Sequence, residues 1–83
     1  RAYGVLDCGA FITAFTLAAA ALGVSSIPQA AIAGRAPIVR EVLNIGEDRD
    51  VLCAISFGFA DTDHPANSFR TERADLAEFV EWV

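Results

Sequence analysis

Arg70 and Arg73 stand three residues apart in "NSFRTER", the stretch from Asn67 to Arg73. The chain around them is acidic, with a formal net charge of −5 and only six basic residues, all of them arginine. Two guanidiniums at this spacing can grip one anion, because each presents a planar fork of N–H donors. A phosphate is the group such a pair would hold, the more so at the start of a helix, where free N–H groups point outward. The competing reading is a solvated surface on which the arginines pair with Glu72, Asp75 or Asp63, which stabilises little. Spacing alone favours the surface pair.

Other candidates are weaker. His64 is the only histidine, and it sits between Asp61, Asp63 and Pro65. Three ligands in one loop with no fourth make a poor metal site, so a solvated turn is the better reading. Cys8 and Cys53 are the only cysteines, and they read as small buried thiols of a reducing compartment in unrelated apolar settings. Sequence leaves their pairing open. Asp7 reads as a carboxylate near the start of a helix, where it favours the dipole. No P-loop, no Gly-x-Gly-x-x-Gly and no Gly-x-Ser-x-Gly is present. The negative balance argues against nucleic acid, which demands a basic stripe.

These residues need elements to position them. Val5–Leu22 reads as one helix, favoured by its alanines and stopped by Gly23. Its apolar residues surround the axis, as in a helix at the centre of a larger body or at a subunit interface. No charge falls between Cys8 and Gly34, yet Thr13, Thr16, Ser25, Ser26, Pro28 and Gln29 interrupt the run. A buried helix of a soluble protein is therefore expected, not a membrane span, which needs about 20 apolar residues. Val24–Pro28 reads as a short extended segment, and Gln29–Ala36 as loop or helical turn. Pro37 suits the first turn of a second helix with Ile38, Val39, Val42 and Leu43 on its apolar face, closed by Gly46. Val51–Asp61 reads as a strand covered on both faces, with Gly58 marking a close approach. A loop follows, and then a last helix from Thr71 or Asp75 to Trp82, with Leu76, Phe79, Val80 and Val83 on one face.

The order helix, short strand, helix, strand, helix implies an α+β layered architecture. Eighty-three residues make one domain at most, and 54% of them are hydrophobic. That is more apolar surface than so short a chain can cover. The chain begins at Arg1, and a piece of a larger protein is the leading expectation.

Three stretches carry a resemblance when taken in order. "DCGAFITAFTLAAAALGVSSIPQAA" is similar to the long apolar helix, strand and turn of the FMN-dependent nitroreductase family. "VREVLNIGEDRDVLCAISFGFAD" resembles its next helix and strand, and "HPANSFRTERADLAEFVEWV" its tail in the nitrobenzoate-reductase-like branch. Order and spacing make this specific where no single motif is. The resemblance covers residues 4–82 and implies that residues 1–83 are the C-terminal part of a single three-layer α-β-α domain. It implies an oxidoreductase that moves hydride from NAD(P)H through FMN to a nitroaromatic, quinone or similar acceptor. The turn of Pro28, Gln29, Ala30 and Ala31 would lay backbone amides along the flavin N5 and O4 edge. Arg73, then Arg70, would hold the FMN phosphate, with Asn67 in support. Some members carry an acidic side chain in the turn where this chain has alanine. The family's N-terminal arginine-rich motif has no match here.

The resemblance further implies a homodimer, a cytoplasmic location, and a fragment that is inactive alone because it holds only part of one flavin site. The rest of the parent chain and a second subunit are the implied partners, with no membrane and no nucleic acid. It names no catalytic side chain and no metal. The alternative from a different class is a non-catalytic, helix-rich dimerisation or interaction module.

Overall fold

The computed structural model describes residues 2–83. Its first element, α1, spans Ala2–Ala21. It starts three residues earlier than the sequence suggested, so Asp7 lies inside the helix and the first turn holds no acid. The expected capping role of Asp7 is lost. Thr13 and Thr16 keep their hydroxyls satisfied by donating back to the carbonyls of Gly9 and Thr13, at 3.2 and 3.0 Å. Gly23 ends the helix as expected, with φ +75°. Val24 N–H reaches Ala19 O at 2.9 Å and Gly23 N–H reaches Ala20 O at 3.0 Å, the crossed pair of bonds that a left-handed residue permits.

β1 runs Ser25–Gln29 and β2 runs Ala54–Gly58, paired antiparallel in a two-stranded sheet. Ile27 lies opposite Ser56, and Gln29 opposite Ala54. β2 is shorter than the expected Val51–Asp61 because pairing ends where β1 ends, at the entry to a 3-10 helix over Ala30–Arg35. α2, Ala36–Leu43, follows with Pro37 in its first turn. Its end is not Gly46 but Asn44, which takes the left-handed conformation at φ 53° while Ile45 N–H bonds to Arg40 O at 2.9 Å. At Gly46 an added Cβ would meet only the tip of the exposed Asp48 carboxylate, which can swing aside. Arg40 donates through Nε and Nη2 to Arg49 O at 3.2 and 2.9 Å, tying α2 to the turn after it.

The last helix does not form. A single 3-10 turn at Leu76–Glu78 stands in its place. Helix initiation is costly, and the few residues from Asp75 to Trp82 are too short a run to offset it through local hydrogen bonds. Leu76, Phe79 and Trp82 are 64%, 66% and 85% exposed.

A shortage of covering surface governs the whole chain. α1 packs on one side against the sheet, where Phe15 meets Phe57 edge-on with ring centroids 5.7 Å apart. Its other sides stay uncovered, contrary to the expectation of a buried helix, because one two-stranded sheet offers one face. α1 is long and apolar enough to cross a bilayer by length and composition, a test that core helices of soluble proteins also pass. No described residue is buried. The radius of gyration is 16.3 Å, whereas a compact chain of this length has about 12 Å. Gly58, expected at a close approach, has open space where a Cβ would point.

This geometry predicts that residues 1–83 alone show no cooperative unfolding. A near-ultraviolet circular dichroism melt of the isolated chain should slope without a step. A sharp sigmoidal transition would contradict the open architecture.

Candidate functional site

The turn carrying Pro28, Gln29, Ala30 and Ala31 sits where β1 gives way to the 3-10 helix. Gln29 keeps an extended backbone at φ −123° and ψ 99°. The first N–H groups of the 3-10 helix have no partner within it, since its bonds reach back three residues. The alanines keep the ground above these N–H groups low. The Gln29 side chain is not idle: its Oε1 accepts from Ser56 Oγ at 2.8 Å. Nothing in the sequence singles out Ser56, because its partner becomes visible only once strand register is known.

The arginine segment is extended rather than helical. Arg70 Nη1 donates to Phe69 O at 3.0 Å and to Asn67 O at 3.4 Å. Arg73 Nη1 donates to Thr71 Oγ1 at 2.7 Å and to Glu72 O at 3.1 Å. Neither guanidinium meets a carboxylate among the described residues, so the surface pairs with Glu72, Asp75 or Asp63 do not form. The helix start expected to reinforce the pair is absent. What remains is two cations with Nε and Nη2 donors to spare.

Asn67 closes the loop that leads into the arginine segment. Its Nδ2 donates to Asp61 O at 2.7 Å, closing the loop after β2. Within that loop Asp61 Oδ1 accepts from Asp63 N–H at 3.0 Å, and His64 Nδ1 accepts from Ala66 N–H at 3.0 Å. These groups are spent on turn geometry, and no metal-ligating cluster exists among the described residues. Asn67 also lines an open hollow of about 230 Å³ with Ser25, Ser26, Ser56, Phe57 and Gly58. The loop thus brings the start of the arginine segment beside the sheet. No hydrogen bond or ion pair joins the arginines to the turn at residues 28–31 among the described residues.

A second hollow, about 380 Å³, lies between α1, α2 and residues 50–55. Cys8 and Cys53 both line it as free thiols, which corrects the expectation of unrelated settings.

A family model described as the nitroreductase family matches residues 1–59. The chain belongs to the nitroreductase family. As a nitroreductase-family chain it is 35% identical over all 83 of its residues to 4-nitrobenzoate reductase of Nocardioides sp. (strain LMS-CY), covering 34% of that protein. It is 40% identical over 72 residues to nitroreductase NfnB of Mycolicibacterium smegmatis, which is 87% of this chain and 30% of that one. Its backbone matches the crystal structure of the FMN-dependent nitroreductase NfnB from Mycobacterium smegmatis in complex with NADPH, with TM-score 0.93 and 36% identity. That match covers 100% of this chain and 37% of NfnB. The fold is therefore a portion of the nitroreductase fold, as the resemblance implied, and the chain spans about a third of the length of these relatives. The arginine segment lies beyond residue 59 but within both full-length pairings.

Replacing Asn67 by Ala in the complete protein should loosen the loop it closes. Amide hydrogen exchange across residues 61–70 is expected to quicken by a factor consistent with about 1 kcal/mol for one lost hydrogen bond. Unchanged protection would show that the Asn67–Asp61 link carries no order.

Proposed function

We propose that the protein containing this chain is an FMN-dependent oxidoreductase. It uses NAD(P)H as donor and a nitroaromatic, quinone or similar small molecule as acceptor. The observation that carries the reading is a nitroreductase backbone in which Arg70 and Arg73 are free of carboxylates. FMN has two features that need opposite treatment, a dianionic phosphate and a planar ring with acceptor atoms along one edge. The residues present fit both. Arg73 and Arg70 would hold the phosphate, with charge-assisted hydrogen bonds from their unused N–H groups. The amides at Ala30 and Ala31 would face the ring edge, and the small side chains of Pro28, Ala30 and Ala31 leave the ring room to lie flat.

FMN, when bound, supplies the hydride chemistry. The chain's own residues bind and orient, and no side chain here is assigned a proton transfer. This chain forms one wall of the site. The remaining wall belongs to the other two-thirds of a nitroreductase-length polypeptide and to a second subunit of a homodimer. α1, apolar on every side, is the element with the most surface to offer such a subunit. A C-terminal position within a single domain and a cytoplasmic location belong to the same reading, the latter supported by the two free thiols. Residues 1–83 alone would then be inactive.

The test is a visible spectrum of the complete protein, with Arg73→Ala beside it. Flavin bands that bleach on anaerobic addition of NAD(P)H are expected. Arg73→Ala should weaken FMN binding at least about tenfold, the loss of one charge-assisted contact, and Arg70→Ala should weaken it less. A protein that stays colourless after incubation with FMN would sink the reading.

A further inference from the structure

Ser56 and Gln29 are diagonal neighbours across the strand pair. Register sets Ser56 opposite Ile27 and Gln29 opposite Ala54, so both side chains lie on the same face of the sheet. Phe57 points to the other face, where it meets Phe15 of α1. The Ser56–Gln29 bond therefore sits on the side of the sheet away from α1, at the edge of the 28–31 turn. Its consequence is directional. A hydroxyl proton given to Oε1 leaves the other end of the amide, Nε2, pointing elsewhere, and Nε2 has no partner among the described residues. An amide held in this way presents donors and not its oxygen. Ala54 and Gly58 flank Ser56 along its own strand with little or no side chain, and Ile27, opposite Ser56, is the one large apolar neighbour on this face.

We propose that Ser56 is a positioning residue that holds the Gln29 amide as a hydrogen-bond donor to an oxygen conjugated with a π system at the 28–31 turn. This deepens the flavoenzyme reading and rests on it. Two groups carry such an oxygen: the carbonyl edge of the flavin, and the nitro or quinone group of the acceptor. In both, negative charge builds on the oxygen as electrons arrive, so a fixed N–H donor acts more strongly after transfer than before it. Loss of the Ser56 hydroxyl frees the amide to turn over and set its own oxygen against the ligand's. Removing Ser56 thus costs more than one exposed hydrogen bond, although Ser56 itself never touches the ligand.

The experiment compares Ser56→Ala, Ser56→Thr, Gln29→Ala and the double alanine variant in the complete FMN-loaded protein. The readouts are the flavin midpoint potential and the KM and kcat for 4-nitrobenzoate. Ser56→Ala and Gln29→Ala should move the same quantity in the same direction by about tenfold. The double variant should add nothing further, and Ser56→Thr, which keeps a hydroxyl, should restore the wild-type value. If the flavin edge is the acceptor, the potential falls by about 30 mV, the two-electron equivalent of tenfold, with KM unchanged. If the nitro oxygen is the acceptor, kcat for 4-nitrobenzoate falls about tenfold at unchanged potential and unchanged KM. Either pattern supports the positioning role and tells the sources apart. Additive effects, or single variants that match wild type in both readouts, overturn it while leaving the flavoenzyme intact. A wild-type protein that binds no FMN overturns both.

Discussion

The antiparallel ladder between β1 and β2 is the contact on which the rest of this structure depends. It joins Ser25–Gln29 to Ala54–Gly58 across the whole of the 3-10 helix and α2. Closing a loop of that length costs chain entropy that local hydrogen bonds cannot offset. The return comes from cross-strand neighbours: backbone pairs along the ladder, the Ser56–Gln29 bond on one face, and Phe57 against Phe15 on the other. Without the ladder, α1 would have no sheet to rest on and the 28–31 turn no fixed exit.

Surface without partners is the second theme. α1 is apolar on every side but touches a sheet on one, and the tail segment from Leu76 to Trp82 has an apolar face with nothing beneath it. Hydrophobic burial is the main favourable term in folding, and none of these residues collects it in full here. A match at TM-score 0.93 over 37% of NfnB gives this openness a simple meaning. The chain has the shape of a nitroreductase portion, with the faces that such a portion would turn toward the remainder.

The functional candidates divide along the same line. The turn at residues 28–31 is organised by the chain itself, since strand register and the Ser56 hydroxyl set its geometry. The arginine pair is not. Arg70 and Arg73 lie in extended backbone, and each holds only to carbonyls and a hydroxyl within three residues of itself. Their freedom from carboxylates is informative because the chain is acidic and has partners at hand in Glu72 and Asp75. One pre-formed turn and one loosely held cation pair are what this chain would bring to the proposed site.

What the sequence by itself determined were local matters. Alanine content and Gly23 specified α1 and its end, Pro37 marked the start of α2, and a near-continuous run of apolar, β-favouring residues marked the region of β2, because each depends on neighbours a few residues away. The order of motifs also identified the family. Tertiary structure decided everything that depended on a distant partner. It cut β2 to the length of β1, and it set the diagonal between Ser56 and Gln29, since a strand's neighbours are unknown until its register is. It drew Cys8 and Cys53 to one hollow and turned Asn67 toward Asp61. It also withheld the last helix, although the spacing of Leu76, Phe79 and Val80 was right, because a periodic pattern over so few residues does not offset the cost of starting a helix.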